Sequence, residues 1–425
     1  MSTLAEVRLW GRTIGGVLMD PRSGLASFEY DPDFARSGIQ VAPLMMPLGR
    51  DIHVFPGLGA ETFKGLPGML ADSLPDRFGN AVIDSWLAVQ GRAPGSLNPV
   101  ERLCIVGRRG MGALEYEPAD DVPAGKVSAL EVAELSRVAA ELMRSREDVA
   151  IRLPRGAGDR EAYRRLISVG SSAGGARAKA VVAWNPATDA FRSGQADLPE
   201  GYEHWIIKLD ADGDEGGYGR VEHAYHRMAV EAGISMAGCR LHLEGGRAHF
   251  MTRRFDREAD GRKVHMQTLG AVAHYDFNRP RAHGYEDAFG VLRRLGLGAD
   301  TAEELYRRMV FNVVARNQDD HVKNLSFLMD RSGAWRLSPA YDVTYNVGTG
   351  PTASHQMTVN LKSEGIGMDD LRAVAKVAGL KRGRGDAIVD QVVAAVRRWE
   401  TFAAMDGVPE SWARRIRGNH RILLG

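Results

Sequence analysis

At 425 residues, with 44% apolar and 26% charged side chains, the chain has the composition of an ordinary soluble globular protein, long enough for two or three domains. Its 55 basic and 54 acidic residues leave a net charge of +1, which excludes a strong non-specific pull toward nucleic acid or anionic membrane. Only two cysteines, Cys104 and Cys239, exclude a disulfide framework or a cysteine zinc cluster; with no secretory leader and no run of roughly 18 apolar residues, the expected location is the cytoplasm.

From the N-terminus to about residue 120 the chain reads as short strands and turns followed by a helix. Val7, Leu9, Gly15–Leu18 and Ser27–Tyr30 are separated by the turn pairs Asp20-Pro21 and Ser23-Gly24. Leu74–Gln90 has Ile83, Trp86 and Leu87 at helical spacing. Glu117–Lys126 shifts in composition and reads as a linker. Ser128 and Glu131 then form a capping-box pattern, with Leu135, Val138 and Leu142 continuing one apolar face. From about 165 to 250 the pattern turns to strands and loops, with apolar runs at Ala180–Trp184 and Trp205–Leu209 and a helix-like stretch at Val221–Ala232. The remainder is mainly helical. Leu305, Met309, Val313 and Val314 make one stripe; Ile388, Val392, Val396 and Trp399 make another.

One stretch carries chemistry. A helix ending near Arg316 delivers the chain into the polar loop Asn317-Gln-Asp-Asp-His-Val-Lys-Asn324. A predicted hairpin follows (Leu325–Met329, a turn at Asp330–Gly333, Trp335–Leu337), and then Ser338-Pro-Ala-Tyr-Asp342. Phosphoryl transfer needs a carboxylate to accept a hydroxyl proton, and oxygen ligands beyond it to hold magnesium on the phosphates. Asp319 suits the first task; Asn324 and Asp342 suit the second. Upstream, Ser171-Ser-Ala-Gly-Gly-Ala-Arg-Ala-Lys179 has the small residues that let backbone amides approach phosphate, although it matches neither GxxxxGK[ST] nor GxGxxG, and a glycine-rich surface turn would look the same. Lys208 closes the strand Trp205-Ile-Ile-Lys-Leu, where protein kinases present the cation for the α- and β-phosphates, with Glu222 as a candidate partner.

In this order the pieces resemble the HipA family of serine/threonine kinase toxins over nearly the whole chain. Phe28–Asp31, Pro43–Leu48 and Leu66–Pro75 are similar to that family's small N-terminal domain. His265–Gly270 and Tyr285-Glu286 fit a branch of it. The resemblance implies a mixed α+β, bilobal kinase-like fold with an additional N-terminal domain: residues 1–125 for that domain, 126–252 for a strand-rich N-lobe, 253–425 for a helical C-lobe. It implies Gly174, Gly175, Ala176, Arg177, Ala178 and Lys179 as the phosphate loop, Lys208 as the ATP lysine, and Arg253, Arg254 and Phe255 at the adenine. It further implies Asp319 as base, His321, Lys323 and Tyr341 beside the nucleotide, and Asn324 and Asp342 on magnesium, with ATP and Mg2+ as cofactors. Ser172, or alternatively Ser171, would be a site of silencing autophosphorylation. The implied partners are a protein substrate such as an aminoacyl-tRNA synthetase and a DNA-binding antitoxin of the HipB type, without membrane contact. Two departures stand out: Arg177 where the family commonly has Gln, and Arg253 where it often has Glu.

Two other readings of the residues stay open. Aminoglycoside- and choline-kinase-like enzymes share a DxxxxN loop, so the loop alone does not exclude a small-molecule phosphotransferase. An inactive kinase fold acting in a repressor complex is the third.

Overall fold

The computed structural model describes residues 3–119, 132, 133, 135–137, 139, 178–194, 198–210 and 217–424. Two compact units emerge: Met1–Gln40 with Leu48–Gly216 and Arg240–Met266, and Val41–Pro47 with Gly217–Cys239 and Gln267–Gly425. The first is rich in sheet and the second mainly helical. Among the described residues no helix is long and apolar enough to cross a membrane.

The first unit opens on an antiparallel sheet of β1 (Leu4–Leu9), β2 (Arg12–Asp20), β3 (Leu25–Tyr30) and β4 (Leu114–Glu117), in the order β3-β2-β1-β4. Ala5, Val7 and Leu9 are buried while Leu4 and Glu6 are exposed, the two-residue alternation of a sheet with one face covered. Trp10 and Gly11, both at positive φ (52° and 80°), make the two-residue turn between β1 and β2. That is the backbone whose twist matches a tight hairpin, and glycine adopts it without strain.

The second sheet holds β5 (Lys179–Trp184), β6 (Phe191–Ser193), β7 (Glu203–Lys208), β8 (Cys239–Glu244) and β9 (Arg247–Arg253), in the order β6-β5-β7-β9-β8. Leu74–Gln90 realises its helical spacing as the helix Arg77–Val89, started by the Asp76 side chain, which accepts from the Gly79 amide at 2.6 Å. Phe78, Val82, Ile83 and Leu87 of this helix share a core with Ala180, Val182, Trp205, Ile207 and Met251 of the sheet. Each such large side chain is worth about 1.5–3 kcal/mol on burial. Leu135 is buried in the same core; Ser128, Glu131, Val138 and Leu142 lie outside the described residues.

In the second unit the helix Ala299–Ala315 is central. It buries Leu305, Met309, Val310, Val313 and Val314 and packs against the helices Tyr285–Arg294, Met368–Val377 and Arg384–Arg397. The expected stripe 388–399 is divided: Arg398 closes Arg384–Arg397, and Trp399 begins a separate helix, Trp399–Met405. In a short sheet of order β10-β11-β12, β10 (His265–Thr268) comes before the central helix, while β11 (Ser326–Met329) and β12 (Trp335–Leu337) follow the loop after it. The predicted hairpin is β11–β12, with Phe327 opposite Leu337 and Met329 opposite Trp335.

Candidate active site

The loop that carries Asp319 is fixed from both ends. Arg316 closes the central helix in the left-handed conformation (φ 60°), turning the chain out of the helix axis. The Asn317 side-chain amide then donates to Asn312 Oδ1 at 2.9 Å, and the Gln318 amide donates to the Asn346 carbonyl at 3.0 Å. At the far end the Asn324 amide closes a turn onto the His321 carbonyl at 2.8 Å, while Asn324 Nδ2 donates to the Asp319 carbonyl at 2.7 Å.

Two aspartates stand side by side here, and their surroundings divide them. The Asp320 side chain is 1% exposed. It accepts from Tyr285 Oη at 3.0 Å, His355 Nδ1 at 2.9 Å and the Gln356 amide at 2.8 Å. Burial, and then the neighbouring Asp320 charge, hold the Tyr285 phenol well above its usual range, so it remains a donor. Asn312 Nδ2 supports that phenol oxygen at 2.9 Å. A carboxylate saturated in this way is an anchor. The Asp319 side chain is 37% exposed, with Oδ1 accepting from Gln356 Nε2 and lying 3.8 Å from His321 Nε2. Among the described residues Oδ2 takes no hydrogen bond. Asp319 is therefore the more accessible of the two carboxylates.

The segment Ser338–Asp342 is stapled to this loop. The Ser338 amide donates to the Ser326 carbonyl at 2.9 Å and the Ala340 amide to the Ser235 carbonyl at 2.8 Å. Tyr341 Oη donates to the Lys323 carbonyl at 2.6 Å and touches Ser326 Oγ. Asn324 and Tyr341 line one cavity of about 40 Å³ together with Asn317, Asp320 and His321. Asp342 follows directly, at φ 52°, a conformation costly for a side-chain-bearing residue and concentrated at functional sites. Because Asn324 spends its Nδ2 on Asp319, its carbonyl Oδ1 is left as an acceptor. Asn324 Oδ1 and the Asp342 carboxylate are hard oxygens of the kind magnesium takes, few in number because phosphate and water complete its shell. Lys323 holds its ammonium 4.7 Å from the Phe277 ring centre, and the His321 ring lies 5.9 Å from the same ring.

Asp319, His321, Lys323, Asn324, Tyr341 and Asp342 thus belong to one neighbourhood of the second unit. Ala178, Lys179, Lys208, Arg253, Arg254 and Phe255 belong to the first. There Lys179, which opens β5, stands opposite Lys208, which closes β7, and the Leu209 amide donates to the Ala178 carbonyl at 2.9 Å. Lys208 keeps its ammonium 5.6 Å from the Phe250 ring centre. Arg253 is exposed and pairs with Glu203 at 3.6 Å. Arg254 turns its guanidinium inward: it is 1% exposed and donates to Asp256 Oδ1 and Oδ2 at 2.9 and 2.6 Å, while its amide donates to the His204 carbonyl at 3.0 Å. Phe255 is half-buried, and Glu222 is buried on the helix Tyr218–Glu231 of the second unit. Ser171, Ser172, Gly174, Gly175, Ala176 and Arg177 lie outside the described residues. The sequence assigns no role to Gln356, His355, Asp320 or Asp256; Asp320 lies in the loop itself, whereas Gln356 and His355 reach it only through contacts between distant segments, and no motif marks them.

Comparison with known proteins points to one family. Residues 5–117 match the HipA N-terminal domain, and residues 171–399, more than half of the chain, match the HipA-like C-terminal domain. A Sinorhizobium fredii protein named "Putative kinase Y4mE" is 29% identical over 189 residues, 40% of this chain and 44% of that protein. A Haemophilus influenzae protein named "Putative kinase" is 28% identical over 137 residues, 28% of this chain and 39% of that protein. The chain therefore spans under half the length of either of these relatives. Among solved structures, HipA of Shewanella oneidensis MR-1, determined with HipB and operator DNA, superposes with a TM-score of 0.67 at 16% identity, covering 97% of this chain and 95% of that one. At that identity the likeness is one of fold, and the mixed α+β, kinase-like fold expected from the sequence is the one observed.

Proposed function

The chain belongs to the HipA family, and from that premise we propose that it is an ATP- and magnesium-dependent kinase acting on serine or threonine hydroxyls of a protein. The observation that carries this reading is the division of labour between the adjacent aspartates: Asp320 sealed and saturated, Asp319 open and oriented, five positions before Asn324. In the step proposed, the substrate hydroxyl oxygen bonds to the γ-phosphorus as its proton passes to Asp319 Oδ2. The bond from the γ-phosphorus to the β–γ bridging oxygen breaks, and that oxygen leaves with ADP. Magnesium, held by Asn324 Oδ1 and Asp342, would supply positive charge to the phosphates. Lys208, and the phosphate loop ending at Ala178 and Lys179, would grip the triphosphate, with Arg253–Phe255 offering backbone to the adenine.

The likeness to a HipA determined with HipB and operator DNA supports a toxin role beside a DNA-binding antitoxin partner. We further assign to the reading a translation factor such as an aminoacyl-tRNA synthetase as target, and self-silencing by phosphorylation of Ser172 or Ser171. The test is to incubate the purified chain and its Asp319→Asn variant with γ-labelled ATP, magnesium and a cell lysate. A labelled protein band that disappears with the variant is the expected result. Label on a metabolite would favour a small-molecule phosphotransferase, and label on nothing an inactive kinase fold; either would overturn the proposal.

A further inference from the structure

The segment Ser354–Thr358 begins thirty residues beyond Asn324, the end of the loop it serves, yet it is held there from several sides. The Gln356 amide donates to Asp320 Oδ1 at 2.8 Å, and its carbonyl accepts from the Arg281 amide at 2.7 Å. His355, 1% exposed, is fixed by its ring nitrogen on Asp320 Oδ2 at 2.9 Å. Met357, 2% exposed, packs in the helical core. With its backbone bound at both polar groups and its neighbours locked, Gln356 sends its side chain toward the loop, and Nε2 arrives on Asp319 Oδ1. Asp319 is then restrained twice: at its carbonyl by Asn324 and at its carboxylate by Gln356.

We propose that Gln356 is a positioning residue for the transfer reaction: it occupies Oδ1 of Asp319, so that Oδ2 alone is presented to the substrate hydroxyl. Asp320 is the anchor that makes this possible, since its carboxylate, itself inaccessible, sets the height of the Gln356 backbone. The chemistry favours an amide for the task. A glutamine donates one hydrogen bond to a carboxylate without adding charge, whereas a lysine or arginine would neutralise it. A reacting group displaced by about 1 Å can lose about 10²-fold in rate, and an unrestrained carboxylate rotates by more than that.

This inference rests on Asp319 being the base, and the experiment separates the two. Transfer is measured for the wild type, Asp319→Asn, Gln356→Leu and Gln356→Glu. Glutamate fills the same space but carries no donor and sets a second negative charge against Asp319. The expected result is a fall in kcat of about 10- to 100-fold for Gln356→Leu, at least as large for Gln356→Glu, with KM for ATP within about two-fold of wild type in both. If Gln356 only fills space, Gln356→Glu retains the wild-type kcat, and the proposal falls. If Asp319→Asn is as active as wild type, the reading of Asp319 falls and takes the role of Gln356 with it. Crystal structures give an answer independent of activity: in Gln356→Leu the Asp319 carboxylate should occupy more than one rotamer, and a single unchanged rotamer overturns the inference.

Discussion

Replacing Asp256 with alanine should be among the most damaging single changes in the first unit, although this residue touches no expected substrate. Its side chain is wholly buried between Arg254 and Arg257, whose side chains are 1% and 6% exposed. It accepts from Arg254 at 2.9 and 2.6 Å, from Arg257 at 2.8 Å and from the Gly112 amide at 2.7 Å. Burial by itself would raise its pKa; the two guanidiniums, with the hydrogen bonds from Arg254 and Gly112, overcome that and hold the carboxyl well below its ordinary range. Removing the partner of a buried ion costs about 3–5 kcal/mol, and the orphaned Gly112 amide adds about 1–3 kcal/mol. Against a typical domain stability of about 5–15 kcal/mol, a loss of at least about 4 kcal/mol should be plain in urea denaturation followed by circular dichroism. The sign with pH follows from the lowered pKa: the contribution is complete above the unfolded carboxylate value of 3.8 and is lost only as pH falls below it, so the deficit of Asp256→Ala should be the same at pH 8 and pH 5. The triple replacement Arg254→Met, Asp256→Leu, Arg257→Met, which removes every charge together, should cost less than Asp256→Ala alone. A loss below about 1 kcal/mol for Asp256→Ala, the value of an exposed pair, would refute the reasoning.

Acid should weaken the fold earlier than carboxylate protonation would. His204, His226, His249, His274 and His420 are each pushed down to about 4, chiefly by burial. Unfolded, they bind protons near pH 6.5, so stability declines as pH falls from there toward 4, each contributing at most about 1.4 kcal/mol per pH unit; a urea midpoint unchanged between pH 7 and pH 5 would contradict this. Leu361 sits 90% exposed at φ 63° beside Asn360 at φ 50°, in the two-residue turn between Val359 and Lys362, where glycine is the favoured second residue. Leu361→Gly should stabilise the protein by about 1 kcal/mol, because the left-handed penalty of about 1–2 kcal/mol exceeds the extra entropy of glycine; a lowered Tm would count against it. Asp342→Ala should weaken binding of ATP with magnesium while leaving magnesium-free binding nearly unchanged, and calorimetry showing equal affinities with and without the metal in both proteins would remove Asp342 from that role.

What could be read from the sequence was local, and the reason is physical. The helix–loop–hairpin order around Asp319 is written in consecutive residues: apolar spacing up to Ala315, polar residues to Asn324, then the apolar run and Gly333 turn of β11 and β12. Such patterns report secondary structure because they are made by neighbours in the chain. The helix Pro99–Val106 is readable by the same logic, since Asn98 and Glu101 form a capping box with Pro99 in the first turn, but its apolar stripe is too short to mark it by spacing alone. The pairing of β4 with β1 joins residues about a hundred positions apart, and nothing in Leu114–Glu117 names its partner.

The adjacent aspartates show where local reading stops. Asp319 and Asp320 have the same chemistry and the same loop, so spacing to Asn324 favours one without saying what the other does. Their roles are set by segments distant in the chain: Tyr285 from an earlier helix, and His355 and Gln356 from 35 to 37 residues further on. These contacts bury one carboxylate among three donors and leave the other a single donor on one oxygen. A base must be reachable and must not wander, and those are properties of packing. The polarity of the loop could be composed from its own residues; the asymmetry that leaves one aspartate open and seals its neighbour had to be imposed from outside it.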